Sequence, residues 1–312
     1  MLDLNFNNVE NLNKFQKNLF GYQAEFTKLS FLLEKNKLPN KIIFNGNDGI
    51  GKSTYIFHLI NLILSKKENH PYDINKFEIS VNNQSFKEIT NNVNFNFKHI
   101  KVDDEKKNIS IEETRELINF LSHSSINKKP KICFLEGAEY LNKNSANSIL
   151  KIIEELPENN YLFISTQNSH GLLDTIKSRC FVYRLFLKKS ENLLVKNKLS
   201  LQFNITGPIY EHITPGSNIK LNILFNELNV QNLNFKNQII EMQKFFIETK
   251  LNKVLELMNL YIENYFLSNM NYKKLFLDLN KRKKINKIIF NIKLLNNEPK
   301  SNLFEINQLL NI

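Results

Sequence analysis

Residues 46–54 read Gly46-Asn-Asp-Gly49-Ile-Gly51-Lys52-Ser53-Thr54, a complete G-x-x-x-x-G-K-[ST] pattern. An apolar run at 42–44 precedes the pattern, and a helical repeat of apolar residues at 56–63 follows it. Glycines let the backbone N–H groups of such a loop turn toward phosphate oxygens, and the N-terminus of the following helix favours an anion. The motif and its setting therefore predict a phosphate-binding loop in an α/β fold.

The side chains of this motif favour a nucleotide with magnesium. A lysine at position 52 would reach the outer phosphates, and the Ser53 hydroxyl would hold Mg²⁺. We therefore expect ATP and Mg²⁺ as candidate ligands of the loop.

Further elements along the chain agree with a parallel sheet. Apolar runs at 132–135 and 161–164 alternate with helical patterns, as in strands joined by crossover helices. One helix is expected to start at the capping box Ser110-Ile-Glu-Glu113, and another to span about 145–156 and stop at Pro157. Residues 66–100 are rich in Asn and Lys and predict an irregular segment with one short strand.

Composition narrows the class of protein. The chain has 312 residues, enough for two or three domains, and no apolar run long enough to span a membrane. Its two cysteines, Cys133 and Cys180, are too few for a disulfide framework or a four-ligand zinc site. The N-terminus has no signal-peptide pattern, so we expect a cytoplasmic protein. The net charge of +11 fits either a solvated lysine-rich surface or attraction to nucleic acid.

Polar residues follow two of the predicted strands. Glu136 ends the run 132–135, where a carboxylate could join a magnesium site, although it could also simply end a strand. The next residue is Gly137, which has no side chain to act as a base, and Glu139 is expected to face elsewhere. Thr166, within Ser165-Thr166-Gln167-Asn168, could sense a terminal phosphate.

Arg179 is notable because the chain has only four arginines among its 42 basic residues. Guanidinium suits planar contact with a phosphate or a carboxylate. Arg179 could therefore act as a finger on a neighbouring subunit's nucleotide, or make a structural salt bridge.

Taken in order, these segments resemble the clamp-loader AAA+ family, and within it the delta-prime type of subunit. The resemblance rests on residues 19–23, 37–39, 111–121, 138–157 and 172–180, the last of which reads Leu-Leu-x-Thr-Ile-x-Ser-Arg-Cys. It implies an AAA+ P-loop core at 1–185, a small helical lid at 186–230 and an all-α collar at 231–312. It also implies a hetero-pentamer with clamp-loader ATPase subunits and a delta subunit, which places a sliding clamp on primed DNA, with Arg179 acting in trans as the catalytic arginine finger.

Two departures from the family pattern bear on activity. Residues 66–100 contain no cysteine, so the zinc module of many relatives is not expected there. After Gly216-Ser217 the chain has Lys220 where the lid usually carries an arginine. Since Gly137 and the missing arginine leave two catalytic aids absent, we expect poor or no hydrolysis by this chain, with an ATPase subunit of the gamma/tau type as the alternative.

The helical tail leaves two further questions open. Its many apolar residues could form an ordinary bundle core or contact partners. The run Lys281–Lys284 could be a solvated helix face or could touch DNA.

Overall fold

The computed structural model describes residues 15–102, 108–123, 125, 127–167, 172–269, 275–295 and 298–311. The chain divides into two compact units. One unit comprises the described residues up to 191, and the other comprises the described residues from 192 onward.

Within the described residues, the first unit contains a five-stranded parallel sheet in the order β2-β3-β4-β1-β5. The strands are β1 (Lys41–Asn45), β2 (Phe97–Lys101), β3 (Ile132–Glu136), β4 (Tyr161–Thr166) and β5 (Phe181–Arg184). In the register, Ile42 of β1 lies opposite Phe163 of β4 on one side and Phe181 of β5 on the other. This arrangement confirms the predicted α/β core and brings the ends of β1, β3 and β4 to one edge.

Helices cover both faces of this sheet. They are α1 (Gln23–Glu34), α2 (Lys52–Leu64), α3 (Gln84–Thr90), α4 (Ile111–Ser122), α5 (Lys143–Glu155) and the single turn α6 (Asp174–Lys177). In β1, Ile42 and Phe44 pack into the core on the side of α2, whereas Ile43 packs into the core on the side of α5. Burial on both faces explains why these strands read as continuous apolar runs.

Local capping signals fix two of the helix starts. Ser110 caps α4, because its hydroxyl accepts a hydrogen bond from the Glu113 backbone N–H while the Glu113 carboxylate accepts one from the Ser110 N–H. This confirms the predicted capping box. Helix α5 starts two residues before the predicted position, because the Asn142 side chain accepts a hydrogen bond from the Ser145 N–H.

The segment 66–100 is more ordered than its sequence predicted. It contains the helix α3 in addition to the expected strand, which is β2. The helix is stabilised by contacts that are distant in sequence: Glu68 accepts hydrogen bonds from the Ser85 N–H and hydroxyl, and the Lys129 ammonium lies 2.7 Å from its carboxylate. The predicted short strand is therefore present, whereas the helix α3 was not predicted.

The second unit is helical in its described residues. Its helices are α7 (Lys189–Gln202), whose first residues belong to the first unit, α8 (Pro215–Glu227), α9 (Phe235–Thr249), α10 (Asn252–Ser268), α11 (Leu275–Leu295) and α12 (Pro299–Leu310). One apolar core runs from Ile213 to Ile306 and buries Phe246, Val254 and Leu257. The tail's apolar residues therefore form a bundle core, while the division into lid and collar stays a prediction. No described helix is both long and apolar enough to cross a membrane.

Candidate nucleotide site

The loop between β1 and α2 has the backbone shape that its glycines allow. Gly49 and Gly51 have left-handed φ angles of 74° and 89°. A Cβ atom at Gly46 would lie 2.6 Å from the carbonyl oxygen of Leu185, so only glycine fits there. The Gly46 N–H donates to the carbonyl oxygen of Thr166, which ties the loop to the end of β4 at 3.2 Å.

Leu185, the residue that follows β5, also lies against this loop. The Leu185 N–H donates to the carbonyl oxygen of Asn45 at 2.8 Å, immediately before Gly46. The phosphate loop is thus held on one side by β4 and on the other by the residue that follows β5.

The Lys52 side chain lies across the loop. Its ammonium donates to the carbonyl oxygens of Gly46 and Asn47, at 2.7 and 2.8 Å. Burial lowers the pKa of Lys52, and the negative charges of Asp48, Glu139 and Glu136 oppose this effect. The loop therefore contains a desolvated cation at the start of α2, which is the electrostatic setting that binds an anion.

Two oxygen-bearing side chains meet beside the loop. The Ser53 hydroxyl in the first turn of α2 donates to Glu136 Oε1 at the end of β3. The other carboxylate oxygen of Glu136 accepts a hydrogen bond from His99 Nε2 at 2.9 Å. The His99 ring stacks on Phe134, with centroids 4.9 Å apart and planes inclined by 17°. Sequence reasoning missed His99, because only the pairing of β2 with β3 brings it to Glu136.

Ser53 and Glu136 fit the requirements of a magnesium site. Mg²⁺ in nucleotide sites is usually held by one or two protein oxygens, with phosphate and water oxygens completing the shell. The described residues contain no group of three or more His, Cys, Asp and Glu side chains that could hold a metal ion. A hydroxyl and a carboxylate in contact next to a phosphate loop match the protein part of such a shell.

Gly137 and Glu139 complete this edge of the sheet. Gly137 has a left-handed φ of 81°, and a Cβ atom there would lie 3.0 Å from Val102 Cγ2. The expectation that Glu139 faces elsewhere was wrong. Its Oε1 accepts a hydrogen bond from the Gln167 N–H at 3.2 Å, its Oε2 is buried without a hydrogen-bond partner in the described part of the chain, and its charge raises the pKa of Lys52.

The remaining predicted residues occupy defined places. Thr54 lies half-buried in the first turn of α2, and Thr166 is buried at the end of β4. Asn168 lies outside the described residues. In the second unit, Gly216 and Ser217 form the first turn of α8, and Lys220 follows them on the same helix.

Arg179 lies between α6 and β5, and its side chain is 42% exposed. Its Nε donates to Glu154 Oε1 at 2.7 Å, and its Nη1 donates to the carbonyl oxygen of Thr175 at 3.2 Å. Glu154 is itself 53% exposed, and such surface pairs contribute only about 0–1 kcal/mol to stability. The salt bridge is therefore present, but it leaves the guanidinium accessible.

Comparison with known proteins gives a consistent picture. The family model described as "DNA polymerase III, delta subunit" matches residues 22–189. DNA polymerase III subunit delta′ of Buchnera aphidicola (subspecies Schizaphis graminum) is 41% identical over 90 residues, which are 25% of this chain and 27% of that protein. The match thus spans about a quarter of the relative.

Longer but weaker similarities extend beyond that region. DNA polymerase III subunit gamma of Buchnera aphidicola (subspecies Acyrthosiphon pisum) is 24% identical over 72% of this chain and 62% of its own length. A crystal structure of a gamma-subunit-related protein from Thermotoga maritima covers 91% of this chain and 92% of its own, at 18% identity and a TM-score of 0.42.

Proposed function

The chain belongs to the DNA polymerase III delta subunit family, and on that premise we propose that it is a delta-prime-type subunit of a bacterial clamp loader. In this role it helps to load the sliding clamp on primed DNA and supplies Arg179 to the ATP site of a neighbouring subunit. It hydrolyses its own nucleotide poorly or not at all. Its partners are the clamp-loader ATPase subunits and a delta subunit in a hetero-pentamer, and it meets DNA through the assembled complex.

The accessible guanidinium of Arg179 carries this proposal. A finger that acts in trans must be exposed and must also be held in one orientation before the neighbour docks. The contacts of Arg179 with Glu154 and Thr175 supply the orientation, and the exposure of its side chain supplies the access. The surface pair with Glu154 is weak enough to be exchanged for a phosphate contact.

The chain's own site supports nucleotide binding more than hydrolysis. Lys52 and the loop N–H groups would hold the phosphates of ATP, and Ser53 with Glu136 would hold Mg²⁺. Bound Mg²⁺ would neutralise phosphate charge. No side chain stands at Gly137 to orient a water.

The test uses the reconstituted clamp loader. Arginine fingers contribute about 10³–10⁵ in turnover, so Arg179→Ala should sharply reduce clamp-stimulated ATP hydrolysis by the assembled complex. Arg184→Ala is the matched control, because Arg184 is another exposed arginine five positions away, on β5. Arg179→Lys keeps the charge but not the planar fork, and we expect it to restore little activity. Unchanged turnover in Arg179→Ala, in a complex of normal composition, would contradict the assigned role.

The intact phosphate loop favours a second candidate, an ATPase subunit of the gamma/tau type. The long alignment with a gamma subunit also supports it. ATP hydrolysis by the purified chain alone separates the two functions. Hydrolysis that is abolished by Lys52→Ala and indifferent to partners would favour the gamma/tau type, whereas nucleotide binding without turnover would favour the delta-prime type.

A further inference from the structure

The outer face of α11 combines positive charge with an exposed aromatic ring. Lys283, Lys284 and Lys287 are exposed, and so is Phe290 one turn further along. Their spacing of i, i+1, i+4 and i+7 places them along one side of the helix. The opposite side of α11 is buried in the apolar core through isoleucines, including Ile288.

Two other cations of this helix are already paired. Arg282 Nη2 lies 3.7 Å from Glu263 Oε1, and Lys293 Nζ lies 2.6 Å from Glu256 Oε1. The three outer lysines, in contrast, form no ion pair with any described residue. The outer face therefore carries three positive charges without local compensation, which favours contact with a polyanion.

Phe290 indicates which polyanion fits. Its side chain is 58% exposed, although a phenylalanine gains free energy from burial. A flat ring beside lysines is the combination that binds single strands, because the lysines contact phosphates while the ring stacks on an unpaired base. The bases of a duplex are stacked on each other and do not offer this contact.

We propose that the α11 face, defined by Lys283, Lys284, Lys287 and Phe290, binds single-stranded nucleic acid. Lys283 and Phe290 are about 10 Å apart along the helix axis, so phosphate contacts and a base stack would involve neighbouring nucleotides of one strand. A lipid surface fits less well, because a membrane-binding helix presents a broad apolar face, whereas here the lysines separate Phe290 from the exposed leucines of the helix, Leu277 and Leu279. This inference concerns contacts of the chain itself and does not depend on the role of Arg179.

The first arm of the test measures salt dependence with the full chain and fluorescein-labelled oligo(dT). Each phosphate contact on a single strand contributes about 0.7 to the slope of log K against log salt. The triple variant Lys283→Gln, Lys284→Gln, Lys287→Gln should therefore lower the slope by about 2. An equal loss of slope in a control triple at exposed lysines elsewhere in the same unit (Lys244→Gln, Lys250→Gln, Lys300→Gln) would overturn the proposal.

The second arm isolates stacking. Phe290→Ala should weaken oligo(dT) binding about tenfold, within the range for loss of one base–aromatic stack, and Phe290→Tyr should retain the affinity. Comparing the affinities for oligo(rU) and oligo(dT) shows whether the face prefers RNA or DNA. Binding of either strand supports the proposal that the α11 face binds single-stranded nucleic acid. Three results would overturn the proposal. They are unchanged oligo(dT) binding in Phe290→Ala, a preference for duplex of equal length, and binding to anionic vesicles or an acidic peptide in place of the oligonucleotide. Circular dichroism verifies that each variant is folded.

Discussion

Replacing Asn83 with alanine should destabilise the first unit, because this one side chain makes three hydrogen bonds. Asn83 is fully buried, and its Oδ1 accepts from the Phe86 N–H at 2.7 Å, which caps α3. The same oxygen accepts from Asn61 Nδ2 at 2.9 Å, and Asn83 Nδ2 donates to the carbonyl oxygen of His70 at 2.8 Å. Asn83 thus connects α2, α3 and the segment between them.

The magnitude follows from the groups that lose a partner. Loss of a helix N-cap costs about 1 kcal/mol. The Asn61 amide, which is also buried, would be left without an acceptor, at a cost of about 1–3 kcal/mol. We therefore expect Asn83→Ala to lower the free energy of unfolding by about 2–4 kcal/mol.

Urea denaturation followed by circular dichroism measures this loss, and hydrogen exchange at the α3 amides shows whether that helix opens first. The neighbouring Asn82→Ala is the control, because Asn82 is exposed and should change stability by less than about 0.5 kcal/mol. A loss below about 1 kcal/mol for Asn83→Ala would refute the role of this network.

Three further predictions concern other parts of the first unit. Burial lowers the pKa of His58 to about 3, below its unfolded value of about 6.5. Stability supplied by neutral His58 is therefore complete above pH 6.5 and is lost below it by about 1.4 kcal/mol per pH unit, and His58→Gln should flatten the pH dependence of the urea midpoint. Gly46→Ala should lower the melting temperature and weaken nucleotide binding, because its Cβ would meet Leu185, and wild-type behaviour in both measurements would contradict the loop geometry. His99→Phe keeps the ring stack but removes the N–H to Glu136, so the Mg²⁺-dependent part of nucleotide affinity should fall about tenfold, measured with a fluorescent nucleotide with and without EDTA; an equal fall in EDTA would indicate a different cause.

Features with a local physical cause could be predicted from the sequence. The capping box at Ser110 and the apolar strand at 132–135 need only neighbouring residues, and both occur as expected. Strand β5 was not identified, because its four residues are mostly exposed at the sheet edge and show no apolar alternation. Helix α3 was missed because Lys129, more than forty residues away, supports it through Glu68.

The residues of the candidate nucleotide site also fall into those predicted from local sequence and those that depend on distant contacts. The motif at 46–54 predicted the loop, and the end of a strand predicted Glu136. The contacts of His99 and Glu139 depend instead on which strands pair and on how the backbone turns at Gly137, and neither is encoded in a short pattern. The net charge of +11 did not identify a surface, because most lysines look alike in sequence and only burial and ion pairing distinguish those on α11.

The hydrogen bond from the Leu185 N–H to the Asn45 carbonyl oxygen connects the residue that follows β5 to the residue that precedes the phosphate loop. The Leu185 carbonyl also limits the room at Gly46, so the same residue borders both the chain that leaves β5 and the turn of the loop. We therefore expect a change that displaces the backbone at residue 185 to alter the space beside Gly46 as well.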